Sequence, residues 1–106
     1  MVQAKCNIGI KDDVLTLKLI GEIDHHGAGA LREEIDRAIF KYRAATVILD
    51  LSGVSFMDSA GLGLILGRFR KTREMGINLI IVNPTDSIMK ILLIAGADKI
   101  LDIRKV

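Results

Sequence analysis

The sequence predicts an α/β fold: one domain over residues 1–106, with a mixed sheet made of an N-terminal hairpin and then parallel strands, helices packed on it, and the order ββαβαβαβ. Three observations carry this. Residues 4–10 and 14–20 alternate apolar and polar side chains around a short polar turn, the period of paired, half-buried strands. Residues 46–51 and 77–82 are nearly unbroken apolar runs rich in β-branched side chains, as strands covered on two faces are. Between and after these runs lie stretches with apolar residues at helical spacing. Short connections then favour right-handed crossovers into a parallel sheet.

The totals agree with a single core. A chain of 106 residues is expected to bury about 65% of its unfolded surface. Half the residues are hydrophobic and 26% are charged, the balance of a compact domain rather than a disordered one. The formal net charge is +2, with Lys and Arg scattered along the chain, so neither a nucleic-acid nor a membrane partner is called for. No run approaches the ~20 apolar residues of a membrane span, and no N-terminal signal core stands out. The single Cys6 excludes an intrachain disulfide and a cysteine-built metal site. A cytoplasmic protein without metal or cofactor is expected.

Taken in order, Lys11, Asp12 and Asp13 form the turn of the hairpin, and Leu15, Leu17 and Leu19 share one face of its second strand. The first helix carries the stripe Ala28, Leu31, Ile35, Ala38, Ile39 and Tyr42, with Arg32, Glu33, Asp36, Arg37 and Lys41 on its wet face. After the strand at 46–51 comes Phe56-Met57-Asp58-Ser59-Ala60-Gly61-Leu62-Gly63-Leu64-Ile65-Leu66-Gly67, a loop leading into a helix that Gly76 stops. Residues 83–86 supply a turn and a cap for a last helix striped by Ile88, Ile91, Leu92 and Ala95. Gly96 ends that helix, and residues 99–103 form the final strand.

Loops that follow parallel strands gather along one edge of a sheet, where α/β proteins place their sites. Three loops qualify here, holding Asp24, Ser59 and the turn of Thr85 and Asp86. Ser59 stands at or within a residue of a helix N-cap, where it can serve as a cap and where backbone N–H groups favour an anion. The helix behind it carries Gly61, Gly63 and Gly67, each costing about 0.8–1 kcal/mol relative to alanine. At helical spacing, Leu62, Ile65, Leu66 and Phe69 form the face toward the sheet. Ala60, Gly63, Leu64, Gly67 and Lys71 form the opposite one, small and smooth with one projecting leucine. That is the shape of a docking surface for a second protein. Gly61 alone suits helix-to-sheet packing.

Other chemistries fit less well. The glycine spacing departs from the dinucleotide fingerprint and no phosphate-binding loop is present. Adjacent His25 and His26 point apart and have no third ligand. A serine hydrolase with Ser59 as nucleophile needs a histidine and an enclosing pocket, and lacks the Gly-x-Ser-x-Gly elbow. Arg68, Arg70, Lys71 and Arg73 spread around their helix and complement its C-terminus.

Gly21-Glu22-Ile23-Asp24-His25-His26 together with Phe56-Met57-Asp58-Ser59-Ala60-Gly61-Leu62-Gly63 resembles the STAS domain of bacterial anti-sigma factor antagonists, and within it the sporulation branch that opposes the sigma-F anti-sigma kinase. The likeness covers essentially the whole chain. It implies a single STAS domain that is no enzyme. Unphosphorylated, such a protein binds an anti-sigma factor serine kinase and frees the sigma factor. The kinase then uses ATP to phosphorylate the serine matching Ser59, and a serine phosphatase resets the switch. With the smooth face, the implied partner surface comprises Asp24, Asp58, Ser59, Ala60, Gly61, Gly63, Leu64 and Gly67. Ala60 stands where many relatives carry Ser or Thr, leaving Ser59 as the acceptor. Relatives also continue past the position of Val106 into a further helix, so an exposed patch around Met89 and Leu93 and weak self-association are expected. Two alternatives share parts of this reading: a STAS scaffold in a stress-signalling complex, and the small hydrolase already mentioned.

Overall fold

The computed structural model describes residues 3–106. Its elements are β1 (Lys5–Lys11), β2 (Val14–Ile23), α1 (Ala28–Tyr42), β3 (Thr46–Met57), α2 (Ser59–Glu74), β4 (Asn78–Val82), α3 (Asp86–Ile94), a 3₁₀ turn (Ala97–Lys99) and β5 (Asp102–Arg104). The order ββαβαβαβ is the one the periodicities predict. The five strands lie in the order β1-β2-β3-β4-β5. β1 and β2 are antiparallel, and every later pair is parallel. Asp12 and Asp13 turn the hairpin with φ of 50° and 64°. Left-handed backbone at both central residues matches the twist of the flanking strands, and aspartate tolerates it.

The core is one cluster. Leu15, Leu17 and Leu19 of β2 and Val47, Leu49 and Leu51 of β3 pack in it with Leu31, Ile35 and Ile39 of α1, Ile65 of α2 and Ile88 and Leu92 of α3. The residues between them in the strands behave differently. Thr16, Ile48, Asp50 and Ile80 are only half-buried and Lys18 is exposed, so the sheet has one fully covered face rather than the two that its apolar runs suggest. Ile48 and Ile80 are β-branched residues that suit a pleated strand without being enclosed.

Two element boundaries also differ. β3 does not stop at Leu51 but runs to Met57, with register shifts against β2 between Lys18 and Ile20 and between Gly21 and Glu22. Each shift inserts an extra β3 residue, and the buried positions step from Leu51 to Val54 to Met57. That spacing abolishes the period of two by which a strand is read. A Cβ on Gly53 would lie 3.0 Å from the Leu19 carbonyl oxygen, so the first bulge needs a residue without a side chain. At the other end, Gly96 at φ 72° turns the chain into the 3₁₀ segment. β5 is therefore delayed to 102–104, where Ile80, Ile81 and Val82 pair with it.

Candidate functional site

The ends of β2 and β3 bring two of the three predicted loops together. Asp58 caps α2, its Oδ1 accepting from the backbone N–H groups of Ala60 at 2.9 Å and Gly61 at 3.2 Å. Its other oxygen, Oδ2, accepts from the His25 backbone N–H at 3.1 Å, and His25 Nδ1 lies 3.5 Å away. One carboxylate thus joins the β2–α1 loop to the start of α2. Asp24 organises the neighbouring helix start. Its Oδ1 accepts from the N–H groups of His26 at 3.0 Å and Gly27 at 3.1 Å, just ahead of α1. Burial of its environment raises the Asp58 pKa, but the N–H donors of Gly61, His25 and Ala60 outweigh it and hold the carboxyl below the usual carboxylate range.

Ser59 is therefore not the cap. It is the first residue of α2 and is exposed, its hydroxyl carried at the positive end of the helix, one residue after the capping Asp58. His25 and His26 lie against different aspartates. No group of three metal-ligating side chains occurs among the described residues. The third loop stays apart. β4 ends at Val82, opposite Asp50, whereas β3 continues for seven more residues, which at ~3.3 Å each carry Ser59 well beyond Thr85. Thr85 is the cap of α3, accepting from the Ile88 N–H.

The seating of α2 differs from the predicted one by about a quarter turn at ~100° per residue. Its buried residues are Gly61, Leu64, Ile65, Arg68 and Thr72, while Leu62, Leu66 and Phe69 are only partly covered. Leu64, expected to project from the docking face, is 6% exposed. Gly61 causes the rotation. A Cβ there would collide with Met57 Cγ and stand 2.7 Å from the Ile23 carbonyl oxygen, so the glycine side of the helix presses on the ends of β2 and β3. Gly61 therefore makes no surface contact, and Leu64 does not project but reaches the surface only by a small edge. Gly63 and Gly67 do face open space, and a methyl group added at either would meet nothing within 4 Å.

These small residues line a groove of about 330 Å³ between α1 and α2, formed by Ala28, Gly29 and Arg32 on one side and Ala60, Gly63, Leu64, Gly67 and Arg68 on the other. The sequence signals half of it. What it conceals is the contribution of α1 and the burial of Arg68, which is 8% exposed and places Nη1 3.0 Å from Asp36 Oδ1. The available clue is spacing: Arg68 falls four residues from both Leu64 and Thr72, on the buried stripe. Lys71, expected on the smooth face, holds its Nζ 5.3 Å from the centre of the Phe40 ring of α1.

Comparison with known proteins adds the following. The STAS domain family model matches residues 5–106. The anti-sigma F factor antagonist of Lysinibacillus sphaericus is 38% identical over 84 residues, covering 79% of this chain and 72% of that protein. Among solved structures, the anti-sigma factor antagonist SpoIIAA in its unphosphorylated form superposes with a TM-score of 0.81 at 29% identity, over 96% of this chain and 88% of that one. The phosphorylated form of the Bacillus cell fate determinant SpoIIAA gives 0.75 at 29% identity, over 96% and 91%.

Proposed function

The chain belongs to the STAS domain family, and we propose that it is an anti-sigma factor antagonist that binds an anti-sigma factor serine kinase through the face built by Asp24, Asp58, Ser59, Ala60, Gly63 and Gly67. Phosphorylation of Ser59 by that kinase ends the binding, and a serine phosphatase restores it. The observation that carries this reading is Ser59 itself: exposed, first in α2, beside an open groove and held by a cap that belongs to its neighbour. The existence of phosphorylated and unphosphorylated structures of SpoIIAA and the identity to a sigma-F antagonist support a phosphoprotein of the sporulation type. The protein acts by partner switching, not by catalysis.

The physical chemistry of the switch follows from the position. A phosphoserine carries about −1.5 to −2 charges at neutral pH. In the free protein the start of α2 favours an anion by roughly 0.3–1 kcal/mol, partly opposed by the adjacent Asp58. In a complex the same dianion is desolvated against a surface fitted to a hydroxyl. A thousandfold loss of affinity needs only about 4 kcal/mol, within the cost of an unpaired buried charge.

The test is incubation with ATP and anti-sigma factor kinases, followed by mapping of the phosphate and measurement of binding. Phosphate on Ser59 alone and at least a hundredfold weaker binding of the phosphorylated form are expected. Ser59→Ala should bind and resist the kinase, and Ser59→Asp should bind worse while melting within about 2 °C of the parent. Unfolding of both variants would make Ser59 structural and sink the reading.

A further inference from the structure

The parallel strands give the sheet two unlike edges. Each helix starts at the edge of Ser59 and runs back to the other, so the C-terminal ends of α1, α2 and α3 gather at the far edge with the β1–β2 turn and the 3₁₀ turn. This edge is tied together: the Ala45 N–H donates to Asp13 Oδ1 at 3.0 Å, and the Asn78 N–H to the Ala45 carbonyl oxygen at 3.0 Å. Of the nine large hydrophobic residues exposed among the described residues, five stand here: Phe40 and Tyr42 at the end of α1, Leu93 and Ile94 at the end of α3, and Ile100 ahead of β5. Scattered singly such residues need no explanation, but gathered on one edge they do. The charge divides in the same sense. Lys41 and Arg43 follow Phe40, and Arg70, Lys71 and Arg73 close α2. With Lys11 and Lys99 in the turns they make seven cations against Asp12, Asp13, Glu74 and Asp98, whereas the rest of the chain holds eight cations and nine carboxylates. Three helix C-termini supply about −0.5 charge each, which offsets half of the surplus. Among the described residues none of the seven is in an ion pair. Two lie by the exposed rings instead, Lys71 Nζ 5.3 Å from the centre of Phe40 and Lys41 Nζ 5.3 Å from that of Tyr42.

We propose that this far edge seats the protein on an anionic lipid surface, with Ile94 and its apolar neighbours entering the headgroup layer and the cations meeting the lipid phosphates. The formal net charge of +2 conceals the division that makes this possible. A second copy fits the edge less well, because it brings the same positive surplus, which keeps pairing through α3 weak. Nucleic acid would meet the cations and leave the aliphatic tips of Leu93, Ile94 and Ile100 in water. A bilayer answers both: its interior takes up apolar surface, and each Lys or Arg near an anionic leaflet gains about 1 kcal/mol. Attachment is peripheral, since no helix among the described residues is long and apolar enough to cross a membrane. Seated in this way, the protein turns the Ser59 edge away from the lipid, so docking and phosphorylation there stay open.

The test is co-sedimentation with vesicles of phosphatidylcholine alone and of phosphatidylcholine with phosphatidylglycerol at about 2:1. Partition onto the anionic vesicles should be at least tenfold greater, and should fall as salt is raised toward ~1 M, where the screening length shrinks to ~3 Å. Ile94→Ser, at a position 88% exposed, should weaken it at least fivefold, as should Lys41→Glu combined with Arg73→Glu, with the fold retained by circular dichroism. On the parent protein, a spin-labelled lipid should broaden the amide signals of Tyr42 and Ile94 and spare that of Ser59. Equal partition onto both kinds of vesicle overturns the proposal, as does broadening centred on Ser59. Anionic binding that Ile94→Ser leaves within twofold also overturns it, since charge alone then explains the attachment. Binding to a single-stranded oligonucleotide with none to vesicles gives the edge to nucleic acid, and a stable dimer that stays off vesicles gives it to a second copy; either outcome sinks the lipid reading.

Discussion

Asp58 ties three backbone N–H groups to one carboxylate, and its folded pKa is depressed. A depressed carboxylate contributes stability that is fully present above its unfolded pKa of ~3.9 and is lost as the pH falls through the lower folded value. Asparagine is an equally good cap but does not titrate. Asp58→Asn should therefore melt below the parent at pH 7, with a gap that narrows as the pH falls below the unfolded value of ~3.9, as followed by circular dichroism. A gap that stays constant with pH would mean that the carboxylate charge adds nothing. At this scale the sequence is legible by type and not by role. Asp24, Asp58 and Ser59 are all identifiable as polar residues at strand ends. Which of the last two caps α2 depends on a one-residue difference in where the helix starts, below the resolution of any periodic pattern.

Helix α2 separates its glycines into two kinds, and substitution tells them apart. Gly61→Ala pushes a methyl into Met57 and the Ile23 carbonyl and should destabilise by about 1–3 kcal/mol. Gly63→Ala adds a methyl to open space in a helix interior and should stabilise by about 0.8–1 kcal/mol, raising the melting temperature by about 4–8 °C. The same methyl narrows the groove, so Gly63→Ala should bind the anti-sigma factor at least tenfold more weakly. Tighter or unchanged binding in calorimetry would remove the groove from the interface. The glycines are conspicuous in the sequence, but helical spacing fixes only which residues share a face, and not which face turns inward. Spacing sends Leu64 outward because Leu62, Leu66 and Phe69 form an apolar set of their own. The contact of Gly61 with β2 and β3 decides otherwise, and such a contact between distant segments leaves no periodic trace.

The whole molecule is the most legible, because the order of elements depends on two periods and a few short connections. The strand segment that escapes, the outer part of β3, is the one whose bulges cancel its alternation. The apolar surface of α3 also extends to this scale. Leu93 is 49% exposed, Ile94 88% and Ile100 56%, while Met89 is half-buried and packs on the core. Weak self-association through this patch should appear as a weight-average mass that rises with concentration in sedimentation equilibrium. Ile94→Lys should suppress the rise, and a constant monomer mass up to millimolar concentration would leave the patch without that role.

β3 outruns β4 by seven residues, which divides the strand into two regimes of motion. From Thr46 to Asp50 it is flanked by β2 and β4, whereas from Leu51 onward only β2 pairs with it. Amide hydrogens of 46–50 should exchange only with global opening, and those of 52–57 through smaller local openings, with rates separated by at least tenfold. Ser59 is thus mounted on a cantilever. Under the proposed docking, binding of the partner should slow exchange in 52–57 far more than in 46–50, because the part of the sheet beneath Ser59 is the part free to adjust.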